Sequence, residues 1–338
     1  MDVETQPDLR PPPTCSGHRF EIGDPAWQLH LAEHGYCVVK TVADEPQLHK
    51  GRALFWDGIE GLHPGVCRND ASTWRLGPPP PAAASAGSTA AHRVGWALDF
   101  RGLVSGSLAQ GAGAWHVRGL PRVKEAFAKI WQADDLIVSL DCVLIWRPWA
   151  GGASCGPPPQ TEGLHLDQNP WSKPELECVQ GMVPMYDVTA QTGGLAVVPD
   201  SHTGESEAWR RQFAGKGDWC PLPARDDMHG TEHLVVAEAG DLILWDARTV
   251  HGGVIGPGED TVAEDGMPCL ARLTQTVSMV PRSLASAECL QARRDGFAAG
   301  QTFNHSPHEA GSSAGTVYSR RQRDHTPPEL TAEQEALL

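Results

Sequence analysis

Lysine and arginine are scarce in this chain, 27 against 42 aspartates and glutamates, leaving a net charge of −15. No basic patch rises easily above that background, so a phosphate-backbone partner is excluded. No two cysteines stand as C-x-x-C, and the nine present, an odd number, are scattered from Cys15 to Cys289. That excludes a disulfide frame and a structural zinc knuckle and points to reduced thiols. Apolar runs long enough to span a bilayer are missing. The opening "MDVETQPDLRPPP" carries acids where a secretory signal would carry basic and apolar residues. A cytoplasmic protein acting on a small molecule, with no nucleic-acid or membrane partner, is the expectation. Internal repeats are also missing, which sets solenoids aside.

Glycine and proline are abundant instead, 36 and 28 of 338 residues, so turns must be frequent. The first third reads as helices. In "GDPAWQLHLAEHG", Asp24 is the N-cap, Pro25 the first helical residue and Gly35 the stop. "DEPQLHKGRALFWDGIEGL" carries a rough stripe of Leu48, Phe55, Ile59 and Leu62, and "LPRVKEAFAKIWQADD" a third helix. "WHVRGLP" (115 to 121) reads as the lead-in to it, and "GPPPPAAASAGSTAAHR" (77 to 93) as a mobile loop. From residue 136 the period changes to two. The stretches 136 to 146, 176 to 188, 193 to 199, 233 to 246 and 269 to 281 read as strands. Helices followed by a run of strands imply a mainly β fold with flanking helices, a sandwich or barrel. One catalytic domain over 1–300, with its core at 136–285, is expected, and the Ser-, His- and Arg-rich segment 301–338 is expected to be poorly ordered. The pairs Gly193-Gly194 and Gly252-Gly253 read as turn chemistry.

In "GLHLDQNPW", His165 and Asp167 stand two apart on an extended segment and so point to one side. With 15 His in 338 residues, about one His-x-Asp triplet arises by chance, and a polar turn explains it equally well when it stands alone. "GDLILWDARTVHGG" tips the balance, because a buried-strand run delivers His251 to the far end of the sheet. Two imidazoles and one carboxylate on one face suffice for an octahedral ferrous ion, with the opposite positions open for a co-substrate and dioxygen. In "CLARLTQTVSMVPR", Arg272, Thr274, Thr276 and Ser278 share one face, opposite Leu273, Val277 and Met279. A guanidinium on a core strand needs a partner, either an acid of the protein or a carboxylate ligand held in two-pronged fashion. Gln180 lies on the same predicted interior. Trp146, Trp149 and Trp171 are candidate walls of a pocket, and Gln168 and Asn169 follow the ligand pair closely enough to reach substrate. Ser139 and Asp141, alternate in "VSLDCVLIW", are candidates to line its mouth.

Taken together, "HLDQNP", "CVQGMVPMYDVTAQTGGLAVVPDSH", "GDLILWDARTVHGG" and "RLTQTVSMVPR" resemble the phytanoyl-CoA dioxygenase-like family of Fe(II)/2-oxoglutarate-dependent oxygenases. The resemblance covers roughly residues 136 to 285 well and the N-terminal helices loosely. It implies a double-stranded β-helix, the cupin-like jelly roll. It also implies that His165, Asp167 and His251 bind Fe(2+) and that Arg272 anchors 2-oxoglutarate, with Gln180 and Thr274 as further contacts. The pocket candidates are Trp146, Gln168, Asn169 and Arg248. The insert "VIGPGEDTVAEDGMP" sets Arg272 further from His251 than family members commonly show, which keeps Arg248 and Arg282 in reserve. The implied activity is hydroxylation of an unactivated C–H bond with O2, ascorbate being a stimulant, since Asp167 fills the position a halide would need. The competing expectation is a catalytically inactive cupin-like protein that binds or senses a metal or dicarboxylate.

Overall fold

The computed structural model describes residues 11, 13–15, 18–75, 101–152, 154–203, 205–259, 267–310 and 324–338. The loop expected at 77–93 lies outside the described residues. Two short strands, β1 (Thr14–Cys15) and β2 (Arg19–Phe20), lead to α1 (Ala26–His34), β3 (Tyr36–Val39) and α2 (Glu45–Leu62). After β4 (Leu103–Val104) come α3 (Ala112–Arg118), α4 (Pro121–Trp131), β5 (Leu136–Val138) and β6 (Val143–Trp146). The strand-rich half begins with β7 (His165–Leu166), β8 (Val179–Pro184), β9 (Gly193–Val197), α5 (Glu207–Arg211) and β10 (Cys220–Pro221). It continues through β11 (His233–Val235), β12 (Leu242–Asp246), β13 (His251–Ile255) and β14 (Arg272–Pro281) to α6 (Ala287–Ala298) and α7 (Ala332–Glu335).

The helix signals act locally. Pro25, expected as the first helical residue, takes the N-cap position of α1, Asp24 just before it accepts from the Ala26 N–H at 2.9 Å, and Gly35, at φ 78°, turns the chain out of α1. Asp44 and Gln47 form a reciprocal capping box at the start of α2, each bond 2.9 Å, a device that contributes about 1 kcal/mol. The "WHVRGLP" stretch supplies most of a helix of its own, α3, rather than a lead-in.

Two of the expected strands are each broken into two. Residues 136 to 146 divide into β5 and β6, and 233 to 246 into β11 and β12, which enter different sheets. One sheet has the order β1-β11-β9-β13-β7-β10, the other β2-β3-β12-β8-β14-β6-β4, with β5 pairing along β14. Both are mixed, since β1 runs parallel to β11 and β2 to β3. Period-two alternation then decides the layers. Cys37, Val39, Leu242, Leu244, Leu273 and Val277 of the larger sheet point to a core shared with α1, α2, α3 and α4. Their neighbours Val38, Met182, Ile243 and Trp245 point the other way and meet Leu195, Val197 and Leu234 of the smaller sheet. Each fully buried aliphatic side chain in these layers contributes roughly 1.5–3 kcal/mol. The fold is mainly β, two facing sheets of the jelly-roll class with helices outside, and among the described residues the strands do not close into a barrel.

Two expectations are corrected. Gly193-Gly194 and Gly252-Gly253 are not turns but lie on β9 and β13, paired with each other as neighbouring strands. The reason is space: a Cβ at Gly252 would stand 2.5 Å from the carbonyl oxygen of Gly163, and one at Gly193 2.2 Å from that of Val254. The segment 301–338 is also not loose where it is described. Leu337 is buried, and Arg293 of α6 donates to the carbonyls of Val138 (2.6 Å), Leu337 (3.0 Å) and Leu338 (3.1 Å). A polar composition concealed that a fully buried guanidinium gathers this segment in.

Candidate active site

Between the two sheets lies a cavity of about 500 Å³. His165 on β7 and His251 on β13 are direct cross-strand partners, and their rings are 4.5 Å apart. Asp167 follows β7 by one residue. One ligating atom from each of His165, Asp167 and His251 lies within 4.8 Å of the others. His165 Nδ1 faces the carbonyl of Gly163 at 2.8 Å, and His251 Nδ1 that of Thr249 at 2.8 Å. A carbonyl only accepts, so both Nδ1 atoms carry the proton, and in the neutral rings both Nε2 atoms present lone pairs. These face Asp167, His251 Nε2 at 3.2 Å from Oδ2 and His165 Nε2 at 3.7 Å from Oδ1. Lone pairs turned toward one another across such distances call for a cation between them, and the donor set fits a divalent metal with two imidazoles and one carboxylate.

The carboxylate is itself held. Gln180 Nε2 donates to Asp167 Oδ2 at 2.9 Å, and His305 Nε2 lies 3.1 Å from the Asp167 carbonyl, its Nδ1 3.7 Å from Oδ2. Burial alone would raise the Asp167 carboxyl, but positive charge placed among His305, His165 and His251 holds it well below the usual carboxylate range. Burial, with His251 beside it, lowers the His165 imidazole, which keeps it neutral and able to ligate.

Arg272, the first residue of β14, lines the same cavity. It is 7 % exposed, its guanidinium lies 4.6 Å from the centre of the Trp146 ring opposite it on β6, and Nη2 sits 3.4 Å from the Met182 sulfur. Nε has no hydrogen-bond partner, and among the described residues no carboxylate pairs with the group. Burial lowers its pKa to about 10. An unpaired buried guanidinium is costly, and a ligand carboxylate would satisfy it.

The remaining candidates divide. Trp146 lines the cavity; Thr274 is buried on the interior face with its hydroxyl unpartnered but is not part of the cavity wall, which Thr276 reaches instead. Gln168, Asn169 and Arg248 are engaged away from the cavity wall. Gln168 donates to the Lys173 carbonyl at 2.8 Å and accepts from the Glu177 N–H, while Asn169 Nδ2 serves the carbonyls of Phe213, Lys216 and Gly217. Arg248 forms a two-pronged pair with Asp246, at 2.7 and 3.0 Å, and also bonds the Pro174 carbonyl. These polar groups shape the loop after Pro170; they do not face the cavity. The reserve Arg282 pairs with Asp135 at 2.9 Å. Trp149 packs edge-on against Trp146, and Trp171 sits under Arg211.

Sequence reasoning missed Trp219, Trp245 and His305, all of which line the cavity. Trp245 was within reach, since alternation along "DLILW" puts it beside Gln180, its cross-strand partner. His305 had no local signal.

Structure and motif together define a mainly β protein with a His-Asp-His triad between two sheets that could hold a metal ion. The chain belongs to the phytanoyl-CoA dioxygenase (PhyH) family, whose model matches residues 31–254. It is similar to "Ava biosynthesis cluster protein O" of Aspergillus versicolor, 26 % identical over 308 residues, covering 83 % of this chain and 86 % of that one. Among solved structures it is similar to the epimerase SnoN in complex with Fe3+, alpha ketoglutarate and nogalamycin RO. That match has 16 % identity, 76 % of this chain and 85 % of that chain covered, and a TM-score of 0.48. It is also similar to the carbocyclase SnoK from nogalamycin biosynthesis, at 15 % identity, 76 % and 84 % covered and TM-score 0.48.

Proposed function

We propose that this chain is a non-haem Fe(II)/2-oxoglutarate-dependent dioxygenase that hydroxylates an unactivated C–H bond of a small or medium-sized organic molecule. The supporting observation is that three converging ligand atoms and a buried guanidinium without a protein carboxylate share one cavity. Membership of the dioxygenase family agrees with it, and similarity to a protein named for a biosynthesis cluster favours a small-molecule substrate. Among the described residues no helix is long and apolar enough to cross a membrane.

His165, Asp167 and His251 would hold the ferrous ion, and Arg272 would take the distal carboxylate of 2-oxoglutarate. When bound, iron and 2-oxoglutarate supply the oxidising chemistry, in which O2 is consumed, the keto acid leaves as succinate and CO2, and a substrate C–H bond gains oxygen. The chain's own part is placement and dryness. The Gly163 and Thr249 carbonyls fix the imidazoles, Gln180 fixes the Asp167 carboxylate and His305 the Asp167 backbone carbonyl, and Trp146, Met182 and Trp245 keep water from the centre. Succinate formation from 2-oxoglutarate with Fe(II), O2 and ascorbate, screened against a metabolite library, tests the reading. Asp167→Ala should abolish succinate formation and weaken Mn(II) binding at least about a hundredfold. Normal turnover by that variant would sink the assignment, and an inactive wild type that binds Mn(II) would favour the sensing protein.

A further inference from the structure

We propose that Asp141 is a specificity-determining residue whose carboxylate receives a protonated amine on the substrate. The inference rests on the reading of the cavity as a substrate pocket and names what enters it.

The break between β5 and β6 is a built feature. Ser139 donates its N–H to the Ser278 carbonyl (2.7 Å) and accepts the Ser278 N–H on its hydroxyl (3.0 Å). The Leu140 carbonyl receives the Phe303 N–H (2.8 Å) and Gln110 Nε2 (3.2 Å). Arg118 Nη2 donates to the Asp141 carbonyl (2.9 Å), and the Thr276 hydroxyl (2.6 Å) and Gln275 Nε2 (3.2 Å) donate to that of Cys142. All four residues are thus fastened through the backbone, by partners drawn from β14, from α3, from Gln110 and from Phe303. Irregular links of this kind beside a site re-aim side chains, and here the link brings Asp141, its one charged residue, to the cavity wall beside Cys142.

Asp141 is 9 % exposed as a residue, and its carboxylate meets the N–H of Cys142, 2.6 Å from Oδ1, and that residue's weakly donating thiol. Among the described residues it forms no salt bridge. Arg118 stands behind the link with its donors directed at the Ala109 carbonyl (2.9 Å), the Gln110 side chain (3.2 Å) and the Asp141 carbonyl, not at the carboxylate. Burial pushes the Asp141 carboxyl above the usual carboxylate range, although His305, the Cys142 N–H and Arg118 pull against it, so a cation arriving from the cavity is what would hold it ionised. An ammonium is the group that completes such a site. Arg272 carries the cavity's other unmatched charge, of opposite sign and suited to an anion, so the two positions do not compete. The chain's net charge of −15 favours approach of a cation. Trp146, Trp219, Trp245, Leu144 and Met182 supply apolar and aromatic walls, so the substrate class is an apolar, ring-bearing amine.

Calorimetric titration of the full chain with tryptamine and with its neutral counterpart tryptophol tests this. Wild type should bind tryptamine at least about tenfold tighter. Asp141→Asn should bind both alike, with tryptophol affinity as in wild type. Asp141→Ser, which keeps a small acceptor for the Cys142 N–H, reports the same ratio if the amide variant does not fold. A wild type without the preference, variants that retain it, or no binding of either probe would overturn the proposal. Mn(II) and 2-oxoglutarate titrated separately keep the two readings apart. Their failure to bind beside an intact amine preference sinks the dioxygenase reading alone, and their binding without that preference sinks this one alone.

Discussion

Replacing Arg272 by methionine separates a ligand anchor from a structural cation by the sign of its effect. Below pH 10 the guanidinium is charged both folded and unfolded, so the depression of its folded pKa to about 10 is a full penalty at neutral pH, relieved only as pH rises through that value. A depression of roughly 2.5 decades corresponds to a penalty on the order of 3 kcal/mol. Against it stands the cation–π contact with Trp146, at 4.6 Å, a contribution of about 2 kcal/mol in a dry site. Methionine has similar length and suits the neighbourhood of Met182 and Trp146. Without ligand, Arg272→Met should therefore be about 1 kcal/mol more stable than wild type, a rise of roughly 1–2 °C in melting temperature. Ligand reverses the order. In the presence of Mn(II), 2-oxoglutarate at about 100 times its Kd stabilises wild type by about 2.7 kcal/mol. The variant loses a buried charge-assisted contact of about 3–5 kcal/mol, so its affinity falls at least a hundredfold and the shift disappears. Thermal unfolding with and without 2-oxoglutarate reads both numbers. A ligand-free variant that melts far below wild type and still responds to 2-oxoglutarate would show that the guanidinium serves the fold.

Two other changes probe the frame of the site. Gly252→Ala would place a Cβ 2.5 Å from the backbone oxygen of Gly163, whose carbonyl orients His165. It should destabilise by about 1–3 kcal/mol and weaken Mn(II) binding together, as measured by unfolding and metal titration; an unchanged Mn(II) affinity would contradict the geometry. His30 lies among His18, His34 and Tyr36 with Nε2 unpartnered, and burial, then His34 and His18, lowers its pKa to about 4. A depressed imidazole pKa means the unfolded chain takes up the proton first, so stability is full above about pH 6.5 and declines as pH falls toward 4. His30→Phe should raise the melting temperature relative to wild type at pH 5 and leave it unchanged at pH 8; equal curves at pH 5 would discard the argument.

What could be read from the chain follows from covalent periodicity. Along β14, Arg272, Thr274, Thr276 and Ser278 alternate with Leu273, Val277 and Met279 whatever the sheet packs against, and the observed layers keep that division. His165 and Asp167 share a side for the same reason, and His251 arrives opposite them because β13 pairs with β7. Nearness in sequence was a poorer guide than phase. Gln168, Asn169 and Arg248 stand within three residues of a metal-ligand candidate, yet each is drawn to backbone carbonyls or an acid in a loop that must satisfy its own polar groups before it can serve a substrate. His305 and Trp219 reach the cavity from 138 residues beyond Asp167 and from the loop before β10, separations that only packing closes. Asp141 falls between these cases. Its phase in "VSLDCVLIW" is visible, but its direction depends on a break in the strand that Arg118, Gln110, Phe303, Gln275 and Thr276 impose from outside. The candidate metal-ligand positions are thus fixed by strand pairing, whereas the cavity wall is fixed by what packs behind it. Changes in α3 or near Phe303, remote from the candidate metal site, should therefore alter which molecule binds while leaving Mn(II) affinity intact.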